Sequence, residues 1–291
     1  MTITATQLER RKQHIGSSDM GAILGLSPWK TPWDVWAGKT GKLVNALEPP
    51  SASAHAGNLF ERGVLSFAKQ ELGRLLRNQY RAAPEFHLGA NIDALAVERG
   101  LEPVEAKTAG LFGPLRGEWG EPGTDQVPEL YIVQAHVHMI CAERNLCHLA
   151  AFLGGRGFTL YAIPINADLS EIIKARAVEF WEQNVQRDIP PPESWPSLDV
   201  AKRIRRVPNK TVDIPPGLIF AWQMEAAEEA EAKKLKDAAK ARILAALGDA
   251  EAAVDPVSGE AVTYFVESKI EYTVKAHSGP VLRWKKKGLG I

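Results

Sequence analysis

Three side chains in one short region have the types and spacing for metal-assisted hydrolysis. They are Asp93 in HLGANIDALAV (87–97), and Glu105 and Lys107 in EPVEAKTA (102–109). Both segments read as strands joined by a turn around Glu98-Arg99-Gly100. An antiparallel hairpin centred near residue 99 sets Asp93 opposite Glu105 and Asn91 opposite Lys107. Directly opposed residues share a face, with Cβ atoms about 4.5–5.5 Å apart. Ile92, Ala94, Val104 and Ala106 then lie on the other face, where helices can bury them. Two opposed carboxylates repel unless a cation sits between them, and hard oxygen donors suit Mg²⁺ or Mn²⁺. A lysine one step along the strand can orient or deprotonate the attacking water, or stabilise charge in the transition state. The alternative is a solvent-facing hairpin with ordinary surface charges, and a slip of one residue in register would dismantle the site.

The surrounding sequence supplies the elements that must hold these groups. A helical, charged LERRKQ opens the chain, and Ser17-Ser18 resembles an N-cap before Asp19 and a helix from Met20 to Leu24, with Gly25 suited to its C-terminal cap. Pro32 starts a second short helix through Trp36, and PPSASAHAG (49–57) reads as a loop. Residues 58–76 carry Leu59, Phe60, Val64, Phe67, Ala68, Leu72 and Leu75 at helical spacing. A Gly/Pro-rich loop (113–128) leads to a helix over 128–145, then to the strands CHLAAFLGG and FTLYAIPIN around the turn GGRG (154–157). A helix over about 168–187 ends at PPPESWP (190–196), a linker. A charged, Ala-rich helix over about 217–248 and a hairpin pattern through 262–285 complete the chain. This order predicts a mixed α/β (α+β) core over about 55–190, with one domain at 1–195 and an extension at 196–291.

Asp93-x11-Glu105-x-Lys107 resembles the PD-(D/E)XK nuclease signature. The opening IGSSDMGAILGLSPWKTPWDVWAGKTG, GNLFERG (57–63), the glutamine of YIVQAHVHM (131–139) and FWEQNVQRDIPPP (180–192) are similar to the YqaJ-type viral recombinase family, which includes phage lambda exonuclease. The resemblance spans about residues 8–192. It implies a nuclease core with a mixed central sheet flanked by helices. It also implies two Mg²⁺ ions (Mn²⁺ possible) and hydrolysis of duplex DNA from a 5′ end, giving 5′-mononucleotides and 3′ single-stranded tails. Residue by residue, it makes Asp93 and Glu105 direct metal ligands, with the Ala106 backbone carbonyl as a further ligand, and Lys107 the cation beside the attacking water. Glu61 would support the metal through water, and Gln134 would order the site. Arg11 and Ser18 would hold the 5′-phosphate, with Ser17 and Asn91 adding hydrogen bonds, and Trp29 with Lys30 a candidate DNA contact. A ring-shaped homotrimer, a single-strand annealing partner and a phage or prophage origin in a bacterial host are further implications of the resemblance. The rivals are an endonuclease of the same superfamily in repair or restriction, and a catalytically inactive DNA-end scaffold.

Composition sets outer bounds. The 291 residues are 45% hydrophobic and 24% charged, the balance of a globular protein with a core. No apolar run approaches the roughly 20 residues of a membrane span, and no charged-then-apolar leader opens the chain, so a cytoplasmic setting is expected. Two cysteines, Cys141 and Cys147, fit a reducing interior rather than a disulfide framework. The net charge is +0, so the whole-chain charge advertises no nucleic-acid partner, although 201–210 and 282–288 concentrate positive charge. His136, His138, Cys141, Cys147 and His148 match none of the usual zinc spacings, and His136 and His138 diverge on one helix.

Overall fold

The computed structural model describes residues 10–43, 52–110, 118–192, 194–204, 207 and 211–263. Two units divide the chain, Met1–Arg206 and Val207–Ile291.

The first unit is built on a five-stranded mixed sheet in the order β1 (Leu75–Ala83), β2 (Leu88–Ala96), β3 (Glu102–Ala109), β4 (Leu146–Leu153), β5 (Gly157–Pro164). Neighbours are antiparallel except β3 and β4, which are parallel. A parallel pair needs a crossover, and α4 (Glu129–Ala142) lies on that connection. The sheet is covered on both faces, as the alternation along β4 shows. Ala150 packs with Val64, Leu65, Ala68 and Leu72 of α3 (Ala52–Leu72), whereas Leu149 and Ala151 pack with Ala135 and Met139 of α4. A strand buried on both sides needs apolar residues on both, so LCHLAAFL carries little polar alternation.

A further layer covers α4. It consists of α1 (Ser17–Ile23), α2 (Pro32–Lys39) and α5 (Ala167–Phe180). Met20, Ile23, Val35, Trp36, Ile173 and Phe180 join Val133 and Val137 in one buried cluster. The approach of α1 to α4 is close: a Cβ on Gly21 would stand 2.1 Å from Leu130 Cδ1, so a larger residue there would have to displace the end of the Leu130 side chain. Asp34 fixes the linker and the short α6 (Leu198–Arg203) to this layer, because its carboxylate caps α2 at Thr31 N (3.0 Å) and also accepts from Ser197 N (3.0 Å).

The mixed α/β architecture agrees with the sequence reading, and three local expectations are corrected. The segment read as a loop over 49–57 already contains the start of α3 at Ala52, consistent with its alanines. That helix ends at Leu72 rather than 76, where Gly73 takes a positive φ of 86°, and residues 75–83 form β1. β1 escaped notice because LLRNQYRAA has no β-branched residue, being an edge strand exposed from Leu76 to Asn78 and half-buried from Gln79 to Ala82. At α1 the N-cap is Gly16 rather than serine, with the Asp19 carboxylate accepting from Gly16 N at 3.1 Å. Ser17 and Ser18 lie inside the first turn.

The second unit holds α7 (Leu218–Leu247), in which only Leu247 is buried, and the small hairpin of β6 (Ala252–Val254) and β7 (Ala261–Thr263). The hairpin pattern read through 285 lies outside the described residues beyond 263, as do Arg205, Arg206 and the basic run at 282–288. Among the described residues no helix is long and apolar enough to cross a membrane.

Candidate active site

The β2–β3 ladder pairs Ala94 with Val104, Leu95 with Pro103 and Ala96 with Glu102. This is the register centred on residue 99, and its next step sets Asp93 beside Glu105. There the two strands part. From Val104 to Ala109, β3 runs with β4, while β2 stays with β1. Asp93 sits at the fork, where its Oδ2 accepts from Ala106 N at 2.9 Å. Across on β1, Asn78 adopts a left-handed φ of 54° and interrupts the ladder between Arg77↔Ala94 and Gln79↔Ile92. The strand's alternation breaks at the same place, since Ile92 packs in the cluster containing α4 residues and Ala94 in the one containing α3 residues.

The fork corrects one expectation. Asn91 does not oppose Lys107. It pairs with Tyr80 on β1, is exposed, and does not line the cavity, because β2 and β3 have separated before reaching it.

Glu61, Asp93, Glu105, Ala106 and Lys107 line one cavity of about 300 Å³, together with Asn58 and Thr108. α3 supplies Glu61, which lies 3.5 Å from the Arg77 guanidinium of β1. Glu105 is only 8% exposed. Its Oε1 accepts from Lys107 Nζ at 2.5 Å, and its Oε2 lies 3.5 Å from His138 Nδ1. The Lys107 ammonium also lies 4.9 Å from the centre of the Tyr131 ring, within range of a cation–π attraction.

The electrostatics follow from crowding. Burial, reinforced by the Glu105 charge, raises the Asp93 carboxyl to about 7. Burial alone would push Lys107 down, but the Glu105 carboxylate outweighs it and holds the ammonium above its ordinary range. Burial lowers His138 to about 4. The site therefore packs more negative charge than Lys107 neutralises, an arrangement suited to a cation ligated by oxygen.

Gln134 is buried on α4 and does not line the cavity. It lies on the helix face that carries Tyr131 and His138, each one turn away, both of which reach the site. Tyr131 and His138 were not read as site residues from sequence, although the spacing Tyr131, Gln134, His138 marks one face. His136 points elsewhere, its ring joining Ile132 O (2.8 Å) and Asn166 N (2.9 Å).

Arg11, Ser17, Ser18, Trp29 and Lys30 do not line the cavity. Two of them are tied to a separate feature, the buried carboxylate of Asp19: Lys30 pairs with it, and the Arg11 carbonyl accepts from its second partner, Lys39. The Lys30 ammonium pairs with Asp19 Oδ1, and Lys39 Nζ lies 2.6 Å from Asp19 Oδ2 while donating to His14 O at 2.6 Å and to Arg11 O. Burial works to raise the Asp19 pKa, but the two ammonium groups override it and hold the carboxyl well below the usual range. Arg11 and Ser18 are exposed beside this pair, and Trp29 is 58% exposed.

Residues 7–145 match the profile of the YqaJ-like viral recombinase domain. The uncharacterized protein YqaJ of Bacillus subtilis (strain 168) is 33% identical over 184 residues, 61% of this chain and 55% of the relative. The chain thus spans about half the length of that relative. Among solved structures, the alkaline exonuclease LHK-Exo of Laribacter hongkongensis aligns with a TM-score of 0.45 at 14% identity, over 64% of this chain and 94% of that one. A putative exonuclease from Eubacterium rectale aligns with a TM-score of 0.44 at 12% identity, over 73% and 97%.

Proposed function

We propose that this protein is a metal-dependent deoxyribonuclease that degrades duplex DNA from 5′ ends, in recombination of the phage or prophage type. The observation that carries the reading is the fork between β2 and β3, which gathers Asp93, Glu105, the Ala106 backbone and Lys107 in one cavity. The match of residues 7–145 to the profile of the viral recombinase domain supports it.

The residues fit a hard divalent cation. Among the described residues no set of three or more His, Cys, Asp or Glu side chains is placed to hold a metal. A cation here would therefore rest on Asp93, Glu105, the Ala106 carbonyl and water, with Glu61 reached through water. That donor set suits Mg²⁺, which binds through one or two carboxylates and keeps several waters. The ions, two per site on this reading, would supply an activated water and neutralise the leaving oxygen. Lys107 holds positive charge beside the attacking water, and the Tyr131 ring and Glu105 keep its ammonium in place. Arg11 and Ser18, with Ser17 beside them, are proposed to grip the 5′-phosphate, since a guanidinium offers a planar fork of donors. Trp29 extends that surface. Lys30 serves first as an Asp19 partner. A ring-shaped homotrimer and a single-strand annealing partner belong to the same reading.

The test is a gel assay with Mg²⁺ on linear duplex bearing 5′-phosphate, linear duplex bearing 5′-hydroxyl, and closed circular plasmid. Loss of the linear forms, faster with 5′-phosphate, with the circle intact, is expected. Lys107→Ala should lose about 10²-fold or more in rate, the scale of removing one charge-stabilising group. Cutting of the circle would replace this reading with an endonuclease, and tight end binding without cutting would replace it with a scaffold.

A further inference from the structure

One buried polar side chain at the site has no role so far. His138 is fully buried on α4, and neither of its ring nitrogens has a hydrogen-bond partner. A buried polar group without a partner costs about 1–3 kcal/mol, and such groups in folded proteins call for a reason. Packing does not supply one, because leucine or phenylalanine would fill the space without stranding two nitrogens. The direction of the ring does. Nδ1 stands 3.5 Å from Glu105 Oε2, beyond a good hydrogen bond, while Lys107 holds the other oxygen, Oε1, at 2.5 Å. Glu105 is thus shared between two neighbours, with Lys107 in full contact and His138 just short of it.

We propose that His138 is a positioning residue for Glu105: its Nδ1–H takes hold of Oε2 when a divalent cation enters and draws on the carboxylate. This rests on the metal reading above. Lys107 pairs with Oε1 of Glu105, and the imidazole stands unpaired before Oε2. Once a cation shares Glu105 with Lys107, the hydrogen bond to His138 fixes the rotation of the carboxylate. Partners of this kind, behind a ligand rather than on the metal, typically contribute 10–100-fold to metal affinity. Tyr131 has the matching duty toward Lys107 from the same helix face. One helix thereby orients both members of the Glu105–Lys107 pair.

The experiment is a Mn²⁺ titration of the full chain, following free Mn²⁺ by electron paramagnetic resonance, with a thermal melt in chelator alongside. His138→Asn keeps a donor near the Nδ1 position and His138→Leu removes it. Wild type and His138→Asn should agree within about threefold, while His138→Leu should bind about 10–100-fold more weakly. The metal-free melting temperature of His138→Leu should be unchanged or higher, because the stranded nitrogens are gone. A merely structural histidine predicts the reverse, lower stability with unchanged affinity, and that result overturns the proposal. So does a His138→Asn protein as weak as His138→Leu. Should leucine fail to pack, His138→Phe is judged by the same affinity ratio. Glu105→Gln separates the two readings: if it binds Mn²⁺ as well as wild type, the metal site itself is wrong and this inference falls with it. If Glu105→Gln is weakened and His138→Leu is not, only the role of His138 is wrong.

Discussion

Asp93 is the residue at which function opposes stability. Its folded pKa of about 7 lies above the ordinary 3.8, through burial and the Glu105 charge, so the folded state holds this proton more tightly than the unfolded chain does. As pH rises from about 4 to about 7 the folded state must give up that proton at a loss, and stability falls across this window. Asp93→Asn removes the penalty. In chelator at pH 8 it should be more stable than wild type by roughly 1–4 kcal/mol, with the gap closing toward pH 4. Urea denaturation at the two ends of the window measures this, and a variant no more stable at pH 8 would refute the burial argument. Asp93, Glu105 and Lys107 were legible in the sequence because a strand's period of two and a turn at Gly100 fix which residues face one another. His138 and Tyr131 were not legible, since their contacts cross from a helix to a strand and depend on how α4 lies on the sheet.

The element best placed to test the N-terminal layer is α1. Its first turn is closed by Asp19, which also holds the ammonium groups of Lys30 and Lys39. Removing one member of a buried ion pair leaves its partner uncompensated, at about 3–5 kcal/mol. Asp19→Ala should cost that much in a urea melt, whereas Ser17→Ala and Ser18→Ala should each stay within about 0.5 kcal/mol. Equal losses at all three positions would restore the serines as the cap. Because the Asp19 pKa is held low in the folded state, its contribution is present above the unfolded value and is lost in acid. The sequence showed that a helix starts here, but serine and glycine both serve as N-caps, and only the fold puts Gly16 there with Asp19 accepting from its N–H. β1 was missed for a related reason: half-exposed edge strands carry a weak pattern, and the partner that makes LLRNQYRAA a strand is β2.

Across the whole molecule, the division after Arg206 predicts that the first unit folds without the second. A protein ending at residue 206 should unfold in one cooperative transition, with a melting temperature within a few degrees of the full chain, and keep the nuclease activity proposed here. Calorimetry and the gel assay check the two halves of this expectation, and loss of cooperative unfolding would show that the second unit is needed for folding. The sheet also sets an order of events during synthesis. Glu105 and Lys107 lie beside Leu149 and Ala151 of a parallel strand made some forty residues later, across the intervening helix. Non-local pairings of this kind form late because loop closure must come first. A nascent chain released only to residue 110 already contains Glu61, Asp93, Glu105 and Lys107, yet it lacks β4 and the helix bearing Tyr131 and His138. On the nuclease reading proposed above, the site is complete only once residue 153 has been made, so on the ribosome its charged groups exist before the frame that aims them.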